Sequence, residues 1–443
     1  MKAWFKQFFK SPKQPVYYFA HIPKTAGTSF IVLLDRYFSA KSIMPQQLWR
    51  EVTDLEELKK QNHQLIRGHF GGGGAKMLTA QDLRHLTMVR DPVDLSHSTY
   101  EFIKREQNTV VHDLVHREQL SFEDFLIHPK TQPLVSNRMV RYLSFDFEED
   151  PSAQEVFLSP QTVEDLQPLL TDNQVPLNDD QRLQRAKQWL DHAFWFGLLE
   201  RFDDAMRFLS YRMVLPPVGN SQKLNKHKSR PVISDVARQR VLANNQADGE
   251  LYDYARSQFE HHYTQMLHDL GLTELANDDD IDVALDKHYQ NNYLQRHKHV
   301  LARSISFQCG DVLLGQNWHR REWIAEQQTF FRWSGPGQLA SLDFWLEPHD
   351  YDMTIEIINA LSESLLDDLI IQANGHDLDW SSEDVGVVRT LHLKCPQSNI
   401  QDNGLLRLYF QSPQVMSHAE AFGSDDQRRI AFALKAIQVK IAA

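Results

Sequence analysis

Two hydrophobic periods divide this chain. Residues 16–22 (VYYFAHI) are an apolar run of strand length, and 27–38 place Phe30, Leu33, Leu34, Tyr37 and Phe38 on one side of a helix. Similar runs predict strands at 64–67 and 84–90, and a helix after Pro92 to Arg105. Short helical segments follow at 109–117, 121–127 and 133–143, and a longer one at 179–193. The stretch FWFGLLERFDDAMRFLSYRM (194–213) reads as strand, turn and helix, and long helices are expected at 232–245 and 247–271. Strands alternating with helices predict a parallel α/β sheet with helices on both faces.

The period changes near residue 272. A polar, acidic stretch and one helix occupy 272–300. Strand-like text with period two then runs from ISFQCGDVLL to FALKAIQVKI, with turn residues at the spacing of a sandwich. The expected organisation is an α/β domain at 1–271, a linker with a helix at 272–300 and a β-sandwich module at 301–443.

Composition narrows the class. Of 443 residues, 42% are hydrophobic and 24% charged, ordinary values for a globular chain. The two cysteines, Cys309 and Cys395, form neither a disulfide framework nor a CxxC pair, which suits a reducing compartment. No run reaches the length of a transmembrane helix, and residues 1–15 lack the apolar core of a secretory signal. Trp4, Phe5, Phe8 and Phe9 among Lys2, Lys6 and Lys10 suit peripheral contact of residues 1–10 with an anionic membrane, or a short amphipathic helix packed on the domain. A cytoplasmic location is expected. The net charge of −12 argues against a nucleic-acid binder. Residues 1–120 nevertheless hold 17 Lys+Arg against 12 Asp+Glu, a balance of +5, which leaves −17 for the rest. Positive charge is concentrated near the first strand, as a small anionic ligand there would require.

That first strand runs into HIPKTAGTS (21–29). A strand, a tight turn and a helix direct the N–H groups of the first helical turn at one point, where the helix dipole also favours an anion. Gly27 permits close approach, Thr28 and Ser29 add hydroxyls, and Lys24 adds a mobile charge. The lysine precedes the glycine, so the GxxxxGK[ST] spacing of an ATP-binding loop is not met. An ordinary helix N-cap beside a surface lysine is the alternative for this turn taken alone. In MVRDPVDLSHSTYEF (88–102), Arg90 ends a second strand and Ser98 lies in the following helix. An arginine at a strand's C-terminal end stands at the ligand edge of an open sheet, with a fork suited to phosphate. An Arg90–Asp91 surface pair and a solvated serine are the alternative there.

Together PKTAGTS and RDPxxxxxS resemble the sulfotransferases that use 3′-phosphoadenosine 5′-phosphosulfate (PAPS). RGHF (67–70), NRMVRYLS (137–144), FGLLERFDD (196–204) and NKHKSRP (225–231) follow in the order of the carbohydrate branch, which includes the uronyl and heparan sulfate 2-O-sulfotransferases. The resemblance covers about residues 16–271. It implies a P-loop-like α/β fold and PAPS contacts by Lys24, Thr25, Ala26, Gly27, Thr28, Ser29, Arg90 and Ser98. Lys228 or Arg230 would close over the nucleotide. It further implies transfer of a sulfuryl group to a hydroxyl of a carbohydrate or glycan precursor, with no metal, in a bacterial setting.

Sulfuryl transfer needs a base for the acceptor hydroxyl and a cation for the departing phosphate. His69 follows a predicted strand and stands where the 2-O-sulfotransferases carry a catalytic histidine; their second histidine, two residues earlier, is Arg67 here. A structural loop histidine is the alternative. Lys24 is assigned to the leaving group. Glu200 is expected to orient His69 or Lys24, or else to sit at a helix start as a dipole partner. Gly71–Gly74 reads as a mobile loop admitting a bulky acceptor, or as a plain turn. His112 and His116 have helical metal-pair spacing but no third ligand. Among Trp318, Trp323, Trp333, Trp345 and Trp380, some would fill the module's core and some could stack on sugars. The rival reading from another class is a non-catalytic glycan-binding protein on a vestigial nucleotide fold. A small-molecule kinase is the other rival, and the lysine's position argues against it.

Overall fold

The computed structural model describes residues 15–170, 175–218, 232–385 and 388–442. In chain order the first part carries strand β1 (Val16–Ala20), helices α1 (Gly27–Leu34) and α2 (Leu55–Lys60), and strands β2 (Leu65–Gly68) and β3 (Leu83–Val89). Helices α3 (Pro92–Arg105), α4 (His112–Arg117), α5 (Phe122–Phe125), α6 (Arg138–Ser144), α7 (Pro160–Leu166) and α8 (Asp179–His192) come next. Strand β4 (Trp195–Leu198) and helices α9 (Phe202–Met213), α10 (Asp235–Asn244), α11 (Gln246–Asp269) and α12 (Asp278–His297) complete it.

Local chemistry sets several boundaries. α3 starts where Asp91 accepts from the backbone N–H groups of Val93 and Asp94, with Pro92 at the first helical position. α8 starts at a reciprocal cap between Asn178 and Gln181. The helix expected over 27–38 stops at Leu34 and tightens into a 3-10 turn at Asp35–Tyr37. The helix expected over 133–143 begins only at Arg138, because Asn137 adopts a left-handed φ of 46°.

The chain divides into two compact units. One comprises Met1–Gly27, Ser42–Phe202 and Asn225–Glu260; the other comprises Thr28–Lys41, Asp203–Leu224 and His261–Ala443. The first is an α/β unit. Its four strands form one parallel sheet in the order β2-β1-β3-β4, flanked by helices. Ala20 lies opposite Gly68 on one side and Thr87 on the other. β1 and β2 are almost wholly buried: β1 is a continuous apolar run, whereas β2 includes the buried Arg67, which donates to the Met44 carbonyl at 3.1 Å.

The second unit holds antiparallel sheets. A four-stranded sheet contains Leu339–Trp345, Ile370–Ala373, His376–Asp377 and Leu405–Gln411. A seven-stranded sheet is built around Tyr351–Ala360 and Phe432–Ile441. Apolar side chains of both sheets, among them Leu342, Leu408, Ile355 and Ile437, belong to one buried cluster. α12 buries Ile281, Leu285, Tyr289 and Tyr293, one stripe at helical spacing, and Tyr293 stacks on Trp345 with ring centroids 5.4 Å apart. Trp318, Trp333 and Trp345 are buried, whereas Trp323 is 53% exposed. Among the described residues no helix is long and apolar enough to cross a membrane.

Candidate functional site

His21, His69 and Arg90 each follow directly on the last residue of β1, β2 or β3, so the parallel register brings all three to one sheet edge. The turn after β1 is tightly wound. Lys24 (φ 75°) and Ala26 (φ 63°) are both left-handed, a conformation that typically costs a non-glycine residue ~1–3 kcal/mol and collects at functional sites. Thr25 between them is fully buried, and its hydroxyl donates to the Ile22 carbonyl at 2.8 Å. The resemblance implies a PAPS contact by Thr25, and in the structure its side chain closes the turn. Gly27 is required on steric grounds, since a Cβ there would lie 1.7 Å from His21 Nε2. Thr28 is exposed and Ser29 partly buried at the start of α1.

His69 is fixed at two points. Its backbone N–H donates to the Gln47 carbonyl at 2.7 Å, and its Nδ1 lies 2.8 Å from the His21 carbonyl oxygen. A carbonyl only accepts, so Nδ1 carries the hydrogen and the neutral ring keeps its lone pair on Nε2. The ring stacks on His21 with centroids 4.3 Å apart. Burial pushes the His69 pKa down to about 4, the Arg138 and Lys24 charges push the same way, and the bond to His21 opposes them. His21 is held well below the usual histidine range by burial, with His69, Lys24 and Arg138 contributing. Both rings are therefore neutral at pH 7.

The cations gather round the turn. Arg90 Nη1 donates to the Lys24 carbonyl at 2.9 Å, tying β3 to the turn. Lys24 Nζ stands 4.4 Å above the centre of the Phe102 ring. Burial lowers the Lys24 pKa to about 8, with Arg105, Arg138 and Arg90 adding to the effect and Glu106 opposing it. Ser98, Phe102 and Arg105 fall on one stripe of α3, at i, i+4 and i+7. Two members of that stripe act on Lys24, which puts the partly buried Ser98 on the site's side of α3. Arg138, the first residue of α6, is almost completely buried and its charge reaches Lys24, His21 and His69. Sequence reasoning quoted Arg138 within NRMVRYLS and gave it no role, and it passed over His21, Phe102 and Arg105. The stretch carries two arginines, Arg138 and Arg141, and nothing in its pattern sets Arg138 apart.

Two expectations are corrected. Glu200 orients neither His69 nor Lys24: its carboxylate accepts from the Asp91 backbone N–H at 2.9 Å and from the Tyr252 hydroxyl at 2.8 Å. It braces the start of α3 instead. Gly71–Gly74 is a packed segment, not a mobile loop. Gly72 and Gly73 donate to the Tyr142 and Phe145 carbonyls at 2.8 Å, and the Gly72 carbonyl accepts from Trp189 Nε1 at 3.0 Å. A Cβ at Gly72 would lie 1.9 Å from the Leu143 carbonyl oxygen, so these glycines serve close packing. His112 and His116 bond the carbonyls of Ile103 and Lys104 at the end of α3, at 2.9 and 2.7 Å. Lys228 and Arg230 lie outside the described residues, as do residues 1–14. Among the described residues no group of three or more His, Cys, Asp and Glu side chains could hold a metal ion.

No protein-family model matches the chain, and no curated protein does. Among solved structures it is similar to a family GH115 4-O-methyl-alpha-glucuronidase described as having specificity for decorated arabinogalactans. That similarity has 10% identity and a TM-score of 0.20, over 82% of this chain and 46% of that one. The chain thus spans about half the length of that structure, and a likeness this low carries no argument about fold or chemistry.

Proposed function

We propose that this chain is a PAPS-dependent sulfotransferase of P-loop-like fold that moves a sulfuryl group to a hydroxyl of a carbohydrate or glycan precursor, in the cytoplasm. The observation that carries the reading is His69, neutral, fixed through Nδ1, with its lone pair on Nε2, and within reach of the charge of the half-buried Lys24. That pairing supplies what the chemistry needs, a base for an alcohol and a cation for a departing phosphate.

The residues fit a polyanionic nucleotide. Around Lys24 the nearby charges are Arg105, Arg138 and Arg90 against Glu106, an excess of positive charge. When bound, PAPS supplies an activated sulfuryl group on a nucleotide leaving group. Lys24 would face the 5′ end, and Arg90 with Ser98 the 3′-phosphate. His69 Nε2 would take the acceptor's proton as its oxygen attacks in line. A base held near pKa 4 is weak for this task, and negative charge placed beside Lys24 and Arg138 would raise it toward the useful range. Residues 301–443 would form a β-sandwich accessory module, with Trp323 as its exposed aromatic for a sugar face.

The test is calorimetric titration with 3′-phosphoadenosine 5′-phosphate (PAP), the desulfated product, against adenosine 5′-phosphate. Micromolar binding that depends on the 3′-phosphate supports the reading and justifies assaying transfer from PAPS to a glycan panel. A folded protein that binds neither nucleotide refutes it.

A further inference from the structure

Arg138 is 1% exposed. Its Nη1 donates to Thr99 Oγ1 at 2.6 Å, and the Thr99 hydroxyl donates onward to the Leu95 carbonyl at 2.9 Å. Nε and Nη2 have no hydrogen-bond partner among the described residues. No carboxylate pairs with Arg138 among those residues either. The nearest candidate, the buried Asp248 on α11, accepts instead from the backbone N–H groups of Met139 and Val140, at 2.9 and 2.8 Å.

A buried guanidinium is costly unless paired, and buried polar groups without partners are rare enough that each needs an explanation. The geometry of the unpartnered edge supplies one. Nε and Nη2 form one edge of the planar fork, the edge that grips two oxygens of a carboxylate, sulfate or phosphate side by side. Arg138's charge acts on Lys24, His21 and His69 at the sheet edge, and on Asp248 and Tyr142. The Asp248 carboxylate is the anion whose charge acts on Arg138, but its two oxygens are taken by the Met139 and Val140 N–H groups, and burial still holds the Arg138 pKa down, to about 9.

We propose that the Nε–Nη2 edge of Arg138, together with Lys24, forms a buried site for a tetrahedral oxyanion beside His69. The ligand class is a sulfate- or phosphate-type group. The inference rests on the reading above for the identity of the natural ligand, but not for the existence of the site. In that setting the group held is either the sulfuryl about to be transferred or the phosphate it leaves. Arg138 is then a binding residue at the reacting centre, and Thr99 fixes the third nitrogen so that the other two face the ligand.

The experiment uses the full chain and sodium sulfate at constant ionic strength, with sodium chloride as balance, and reads the rise of the thermal midpoint. The wild type should show a saturable rise. Arg138→Met, which keeps the length and removes the charge, should need at least tenfold more sulfate. Should Arg138→Met not fold, Arg138→Lys keeps the charge, loses the fork, and should need at least threefold more. An unchanged sulfate response in the variant that folds overturns the proposal. Titrating the same variant with PAPS and with PAP then separates the two sources. A tenfold loss for PAPS with PAP nearly unchanged assigns the sulfuryl, and an equal loss for both assigns the phosphate. A wild type that responds to sulfate through Arg138 yet binds neither nucleotide keeps the oxyanion site and removes the sulfotransferase reading.

Discussion

Nucleotide binding should fade as the solution becomes alkaline, and Lys24 should be the cause. In the free protein its ammonium is held down to about 8 by burial and by the neighbouring arginines. A phosphate docked against it returns that pKa toward the ordinary value near 10.4, so binding takes up a proton above pH 8. If only the ammonium form binds, the apparent Kd grows as one plus ten to the power (pH − 8). That is about twofold at pH 8, about elevenfold at pH 9 and about thirtyfold at pH 9.5, the last being ~2 kcal/mol. A phosphate with a second pKa of about 6 is fully ionised across this window, so the ligand contributes no slope of its own. The assay is calorimetry with PAP in half-unit steps from pH 7.0 to 9.5, in two buffers of different ionisation enthalpy, to count the proton taken up. Lys24→Arg should keep the affinity and lose the slope, because a guanidinium holds its proton here. Lys24→Ala should bind at least tenfold more weakly, also without slope. A wild-type Kd that stays flat to pH 9.5, or a slope that survives in Lys24→Arg, would refute the reasoning.

The remaining predictions concern the rings and the turn. His69→Gln should leave PAP affinity within about threefold while lowering transfer by roughly 10²–10⁴; a matching loss of PAP binding would make His69 structural. Stability should fall in mild acid, because His21, His69 and His85 are all held below the ordinary histidine range. The unfolded chain then takes up more protons, so stability is steady above pH ~6.5 and declines toward pH ~4, where the His69 and His85 contributions level off, with His21 acting in the same direction. His69 and His85, both near 4, should contribute on the order of 2 kcal/mol each, allowing for their partial exposure. Urea melts at pH 7.0, 5.5 and 4.5 read this, and a flat midpoint would count against the buried neutral rings. Gly27→Ala should destabilise the chain by ~1–3 kcal/mol, since the new methyl must displace the His21 ring. Transfer should drop with it, and a variant with wild-type melting and turnover would show that His21 moves freely.

Much of the α/β unit was legible because local signals there agree with the final packing. Asp91 and Pro92 announce α3, Asn178 and Gln181 announce α8, and the apolar runs of β1 and β3 have nowhere to go but a buried sheet. ISFQCGDVLL and FALKAIQVKI, the first and last of the period-two runs after residue 300, each contain a strand for the same reason, a pleated surface with one buried face. The sheet edge could be placed in advance, since register follows from which residues end each strand. What stayed hidden depends on partners far away in sequence. The partners of Glu200 are Asp91 and Tyr252, at separations of 109 and 52 residues. The bond that sets the His69 tautomer comes from a carbonyl 48 residues earlier. Arg138 and Arg141 look alike in NRMVRYLS, yet Arg141 finds Glu155 and the Pro133 carbonyl while Arg138 has only Thr99. One-dimensional patterning carries no information about which of two neighbouring arginines meets a carboxylate.

The glycine run after His69 has a consequence for anyone reshaping this protein. Directly behind the proposed base, Gly71, Gly72 and Gly73 each have a neighbouring atom within 2.3 Å of where a side chain would begin. A library randomised there would return almost only glycine, whatever acceptor it was selected on. Altered acceptor preference has to be engineered from other walls. The glycine segment instead acts as a fixed datum, packed against Leu143, Phe145 and Asp146, from which the chain following His69 cannot be shifted.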